Sequence, residues 1–252
     1  MRGPASFVLG LLATACGGGS PIGPDDAGQD ASLDATSDAG AAKDAAAADA
    51  SADAPADAGD LLAKLQALTA SCNQVSNGLF ALNGGGTPTV PICGLTGAVF
   101  WKADMDIDCD GKTTTQCNIN TDPWYQNQTA ATDSQGNPLD AANLPYTVVP
   151  GKSTRFDYAQ AGLKLGSVIL VVYQGKAEYT VFGDIGPTAS IGEASYATAN
   201  DLGIDPNPST GGVGGGVLYV AFTGSSAVAS PIEDHAGTVT LGQSLLTTLV
   251  GP

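Results

Sequence analysis

Residues 166–195 read GSVILVVYQGKAEYTVFGDIGPTASIGEAS, and this stretch decides the fold. Gly166–Tyr173 is dominated by β-branched residues, which favour a pleated, packed surface. Gln174-Gly175-Lys176 turns the chain back into a second run, Ala177–Phe182, so the two form a hairpin. Beyond the hairpin, Asp184 and Glu193 stand nine residues apart among apolar and small residues. A Gly186-Pro187 turn between them can bring both carboxylates to one cleft. Two facing carboxylates are what hydrolysis of a glycosidic bond requires, one as acid and one as base or nucleophile. Each also has a plainer reading. Ser190-x-x-Glu193 fits a helix capping box, and Asp184 ahead of Ile-Gly-Pro could only order a turn.

Further strands are expected at Ala98–Ala103, Tyr146–Val149 and Val217–Phe222. A short helix is expected at Leu61–Leu68, capped by Asp60, with Leu61, Leu62, Leu65 and Leu68 on one face. Another is expected at Tyr196–Leu202, ended by Gly203 as a left-handed C′ residue. The domain of residues 61–252 is thus mainly β, with one or two short helices.

Upstream the composition changes. A basic start and an apolar run to Ala15 fit a secretory signal. Small residues before Cys16, followed by Gly17-Gly18-Gly19-Ser20, resemble a bacterial lipobox, although Ala13 stands where Leu is usual. Residues 1–16 are therefore read as a signal peptide with Cys16 as the lipidation site, attaching the chain to a membrane through the lipid alone. Residues 17–60 are an Asp/Ala-rich tether too poor in large apolar side chains to bury a core. Ten of the 25 acids and two of the nine Lys and Arg lie before residue 61, so the folded part keeps 15 acids against seven bases. Such a surface repels nucleic acid and anionic membranes and attracts polycations. With Cys16 set aside, Cys72, Cys93, Cys109 and Cys117 make an even set in an exported chain. Short loops favour Cys72–Cys93 and Cys109–Cys117. A zinc tetrathiolate has no Cys-x-x-Cys pair to support it.

Asp104, Asp106, Asp108 and Asp110 alternate, so on a strand they share one face and form an acidic wall. The same run followed by Gly111 suggests a Ca²⁺ loop, but the twelfth position counted from Asp106 is Cys117 rather than Glu. Trp101, Trp124 and Tyr125 are candidate sugar-stacking residues, against the commoner role of aromatics in a core. The lone His235 lies outside these motifs, so a Ser-His-Asp site has no support. Gly211–Gly216 precedes a strand, the wrong context for a phosphate loop.

Phe182–Pro187, Ile191–Ala197, Leu202–Gly212 and Tyr219–Phe222, together with Lys102–Gly111 upstream, resemble glycoside hydrolase family 75, the chitosanases best known from fungi. The likeness spans about residues 97–223. It implies endo-hydrolysis of β-1,4-linked glucosamine chains with inversion, no cofactor, and Asp184 and Glu193 as the essential carboxylates. The order Asp-x-Gly-Pro, short turn, apolar-x-x-x-Ser, helix and Leu-Gly also resembles the double-psi β-barrels of expansins, family 45 glycanases and rare lipoprotein A. The expectation is a six-stranded double-psi-like barrel in a secreted or outer-surface monomer acting on chitosan, with Asp104, Asp106 and Asp108 binding its ammonium groups. A peptidoglycan-cleaving enzyme and an expansin-like binding module are the alternatives.

Overall fold

A computed structural model describes residues 56–82 and 84–251; the signal region, Cys16 and most of the tether lie outside them. In chain order the elements are α1 (Ala56–Leu68), β1 (Cys93–Leu95), β2 (Ala98–Asp108), β3 (Tyr146–Pro150), β4 (Val168–Tyr173), β5 (Lys176–Gly186), β6 (Glu193–Ser195), α2 (Tyr196–Leu202), β7 (Val213–Phe222) and α3 (His235–Val250). Strands β2-β6-β3-β5-β4-β7 follow one another, and β7 pairs back onto β2, which closes a six-stranded barrel. The mainly β, six-stranded barrel expected from sequence is the one found. Two pairings are parallel, β2 with β6 and β3 with β5; β1 pairs antiparallel with the start of β2.

Alternation along the strands sorts the side chains into two cores, as a period of two requires. Trp101, Ala103, Met105 and Ile107 of β2 join Phe182, Ala194 and Tyr219 in one cluster. Phe100, Val148, Val181, Val220 and Phe222 join Leu65 of α1 and Leu246 of α3 in the other. Helices α1 and α3 therefore cover the outer face of the barrel, while the first cluster fills its interior and takes in Ala199 and Leu202 of α2.

Helix α2 begins and ends where the sequence suggests. Ser195 caps it by accepting from the Thr198 N–H, and Gly203 closes it at φ 74°. Helix α3 is a correction to the one or two helices expected. It runs for 16 residues, capped by Asp234. Its glycines and β-branched residues have weak helix propensity, so tertiary packing holds it. Gly242 lets Tyr179 of β5 approach so closely that a Cβ there would overlap the ring. His235 meets Glu178 of β5 at 2.7 Å through Nε2.

A bulge in β5 sets the face on which Asp184 projects. Thr147 pairs with Phe182, but the next residue, Val148, pairs with Asp184, leaving Gly183 as the extra residue. An unbroken strand would place Asp184 on the same face as Phe182, in the interior. The bulge turns it to the outer face, the re-aiming that bulges perform. Glycine is needed there for space, because a Cβ at 183 would lie 2.6 Å from Tyr146 Cβ. Gly183→Ala should therefore lower stability by about 1–3 kcal/mol, the usual cost of overpacking a tight site. A urea denaturation midpoint equal to wild type would show that the Tyr146 contact yields without cost.

Candidate active site

Val148 of β3 pairs with Asp184 of β5 on one side and with Glu193 of β6 on the other. Glu193 in turn pairs with Asp106 of β2. Asp184, Val148, Glu193 and Asp106 thus form a row across four neighbouring strands, and all four line one cleft of about 500 Å³. Because paired strands lie ~4.8 Å apart, the backbones of Asp184 and Glu193 are about 10 Å apart. Gly186 is also next to this row: a Cβ there would lie 2.8 Å from Val148 Cγ1 and 3.5 Å from Glu193 Oε2.

On one side of the row, β2 runs on to Asp108 and Asp110; on the other, β5 runs on to Ile185, Gly186 and Pro187. Six carboxylates line the cleft, those of Asp106, Asp108, Asp110, Asp122, Asp184 and Glu193, and no Lys, Arg or His does.

The environment separates the two central groups. Burial pushes Glu193 up to about 7, reinforced by Asp106, Asp110, Asp184 and Asp122. Burial also raises Asp184, but the backbone N–H groups of Ala130 and Ile185 oppose the rise. Both donate to Asp184 Oδ1, at 2.8 and 2.7 Å. Asp108 is driven well above the ordinary carboxylate range by burial and by the charges of Glu193 and Asp110. Asp110 rises to about 6 through burial, although its bond from Gln126 N–H pulls the other way. Carboxylate oxygens of Asp108, Asp110 and Asp184 come within 4.8 Å of one another, so this trio could receive a hard cation.

The structure redistributes the residues singled out from sequence. Asp184, Glu193, Asp106, Asp108 and Trp124 are brought to the cleft. Glu193 belongs to β6 and does not cap a helix, since Ser195 does that. Trp101 is 1% exposed and stacks on Tyr219 at 5.3 Å inside the barrel, so neither ring face is left for a sugar. Tyr125 does not line the cleft; its hydroxyl bonds Gly111 O at 2.8 Å and Thr113 Oγ1 at 2.6 Å. Asp104 is 2% exposed and does not belong to the acidic wall. It is covered by Gly192, where a Cβ would overlap its Oδ1. Strand pairing through Asp108 also departs from the Ca²⁺-loop geometry weighed from sequence. Asp122 was not among the sequence candidates; only the Asp122-x-Trp124 spacing, an Asx-turn pattern, could have drawn attention to it. Both disulfides expected from loop length are present, Cys72–Cys93 and Cys109–Cys117. The second closes the turn that carries Asp110 away from β2.

Residues 105–243, which contain this cleft, match the family of fungal chitosanases of glycosyl hydrolase group 75. The chain belongs to that family. Endo-chitosanase B of Aspergillus oryzae is similar to it at 34% identity over 161 residues, 54% of this chain and 64% of the fungal protein. An endo-chitosanase of Aspergillus fumigatus is 34% identical over 158 residues, 54% and 63% of the two chains. Endo-chitosanase C of Aspergillus oryzae is 32% identical over 177 residues, 66% of this chain but 44% of its own. The chain thus spans less than two thirds of the length of each of these relatives.

Asp104 provides a stability test separate from activity. Its Oδ1 has no hydrogen-bond partner. Burial, with Asp106 next, raises its pKa from 3.8 to about 7. Between those two values the folded state keeps a proton that the unfolded state has lost. Stability from this group is therefore full below about 4 and falls as pH rises toward 7. Asp104→Asn cannot ionise, so its melting temperature should gain on wild type progressively from pH 4 to pH 7. A difference that stays constant over that range would mean that Asp104 is already ionised in its buried position.

Proposed function

We propose that the protein is an endo-chitosanase that cleaves β-1,4 linkages between glucosamine units by single displacement with inversion. The observation that carries this reading is the row in which Val148 holds Asp184 and Glu193 at either side. Membership in the chitosanase family supports the substrate class. So does a cleft lined by six carboxylates and no basic side chain, which suits a chain bearing an ammonium on each deacetylated sugar.

In this mechanism Glu193 is the acid and Asp184 the base. Asp184 takes a proton from a water on one face of the sugar as the water oxygen bonds to C1. The bond from C1 to the glycosidic oxygen breaks, and Glu193 gives its proton to that oxygen. An inverting pair needs about 6.5–9.5 Å between its carboxyl groups to admit the water. Backbones two strands apart are compatible with that gap, and the bare Gly186 keeps the space beside Glu193 open. Asp106 and Asp108 would attract substrate ammonium groups, and Val148 is a nonpolar floor beneath the ring. The two disulfides fit an oxidising compartment outside the cytoplasm, in keeping with export and a lipid tether at Cys16.

Glu193→Gln and Asp184→Asn should each lower kcat roughly 10²–10⁴-fold, the range for one general acid or base, while thermal melting remains cooperative. The first product seen by proton NMR should be the α-anomer; an initial β-anomer would mean retention. On the alkaline side, kcat should fall as pH rises through about 7, where Glu193 loses its proton. On the acid side it should fall as Asp184 is protonated. An alkaline limb that does not move in Glu193→Asp would assign the acid to another group. If the purified protein released fragments from peptidoglycan and none from chitosan, the substrate would be wrong.

A further inference from the structure

Two exposed apolar side chains line the cleft, Ile185 at 37% and Trp124 at 86% exposure. An indole that open offers a large apolar ring face to a ligand. The backbone that carries Trp124 is also firmly placed. Asp122 Oδ1 accepts its backbone N–H at 2.8 Å, and Asp122 itself is 6% exposed yet lines the cleft. Among the described residues no protein donor reaches the other Asp122 oxygen. The turn is braced from below, where Asn118 O accepts the N–H groups of Thr121 and Asp122 at 3.0 and 2.9 Å. It is braced by a second loop as well: Ser209 Oγ donates to Thr121 O at 2.7 Å, tying it to the loop ahead of β7. The Cys109–Cys117 disulfide closes the stem of the same segment.

An open aromatic face, carried on a braced turn beside a carboxylate oxygen that no protein donor satisfies, is complementary to an amino sugar, with a nonpolar ring face and a cationic substituent. On the reading of the cleft as a chitosanase site, we infer that Asp122 and Trp124 form a binding subsite for one glucosamine unit away from the bond being cut. Trp124 stacks on the ring and Asp122 takes the ammonium. The subsite is selective because an N-acetyl group carries no charge and would leave the Asp122 carboxylate unpaired. Asp122 and Trp124 are specificity residues and take no part in the proton transfers.

Tryptophan emission reports on this directly, because the chain has two tryptophans and Trp101 is buried. Full-length Glu193→Gln protein would be titrated with a glucosamine hexamer and with its fully N-acetylated counterpart. The glucosamine hexamer should shift emission to the blue, and the shift should vanish in Trp124→Phe, where Trp101 alone remains. Asp122→Asn should weaken glucosamine-hexamer binding about tenfold or more at low salt and narrow the preference over the acetylated hexamer. On otherwise wild-type protein, Asp122→Asn should raise KM for chitosan and leave kcat within about twofold, the pattern of lost uniform binding. A loop that serves structure alone would instead lower kcat or melting temperature without changing the acetylation preference. Binding seen by calorimetry with unchanged emission, or equal hexamer affinity in Asp122→Asn, overturns the subsite. If that happens while wild type still cuts chitosan, the chitosanase reading stands without it. If wild type neither binds the hexamer nor cuts chitosan, both fall.

Discussion

The double pairing of Val148 is the constraint on which the site depends. A residue in the middle strand of three can hold its two neighbours at a fixed separation more firmly than any loop, because both ladders would have to slip for the distance to change. Here those neighbours are Asp184 and Glu193. β6 is three residues long, and it is held by β3 on one edge and β2 on the other. A slip of one residue in any of these pairings would send Glu193 or Asp184 into the barrel interior. The parallel and antiparallel pairings on the two sides of β3 therefore act as a gauge for the distance between the carboxylates, and the Gly183 bulge gives Asp184 its direction.

Burying carboxylates without bases opposes folding, and the barrel tolerates it for a physical reason. Desolvation heads the causes that raise Asp108, Asp110, Asp184 and Glu193. Groups crowded this way keep their protons to a higher pH than they would in water, which lowers the repulsion among them. Two filled cores, one inside the barrel and one under α1 and α3, offset what remains. Such a cleft is electrostatically incomplete by itself. A cationic chain would relieve it by supplying the charges that the lining lacks, which is the sense in which the cleft and a polyamine sugar are complementary.

Much of the scaffold was legible because its signals are local. The β4–β5 hairpin shows in its β-branched runs and its Gln174-Gly175 turn, and α2 shows in Ser195 and Gly203 at its ends. Asp184 and Glu193 stood out as charges among apolar neighbours. What was not legible depends on contacts distant in sequence. α3 carries glycines and β-branched residues that argue against a helix until Tyr179 is seen packed against Gly242. Alternation placed Asp104 on the same wall as Asp106, but it cannot reveal that Gly192 would close over it. Trp101 and Trp124 cannot be told apart by residue type. One falls on the interior face of β2 and the other on a turn whose Asx bond turns it to solvent. The Gly183 bulge is equally hidden, since a glycine before an aspartate does not announce which face the aspartate will take.

Asp184 and Glu193 differ through hydrogen bonding more than through burial, since burial raises both. Asp184 Oδ1 receives two backbone N–H donors, which stabilise its charged form. No backbone donor counters the rise at Glu193, and four neighbouring carboxylates add to it. The two donors come from places that the fold must supply separately: Ala130 from the long loop between β2 and β3, and Ile185 from β5 just after the bulge. The bulge that turns Asp184 outward thus also brings it to the Ala130 N–H, while Gly183 O accepts from the Ala131 N–H at 2.9 Å. The direction in which Asp184 projects and its acidity are both set by one local feature of the chain. Glu193, on a short strand with no such donors, keeps its proton to a higher pH, which is what the proposed role of acid requires.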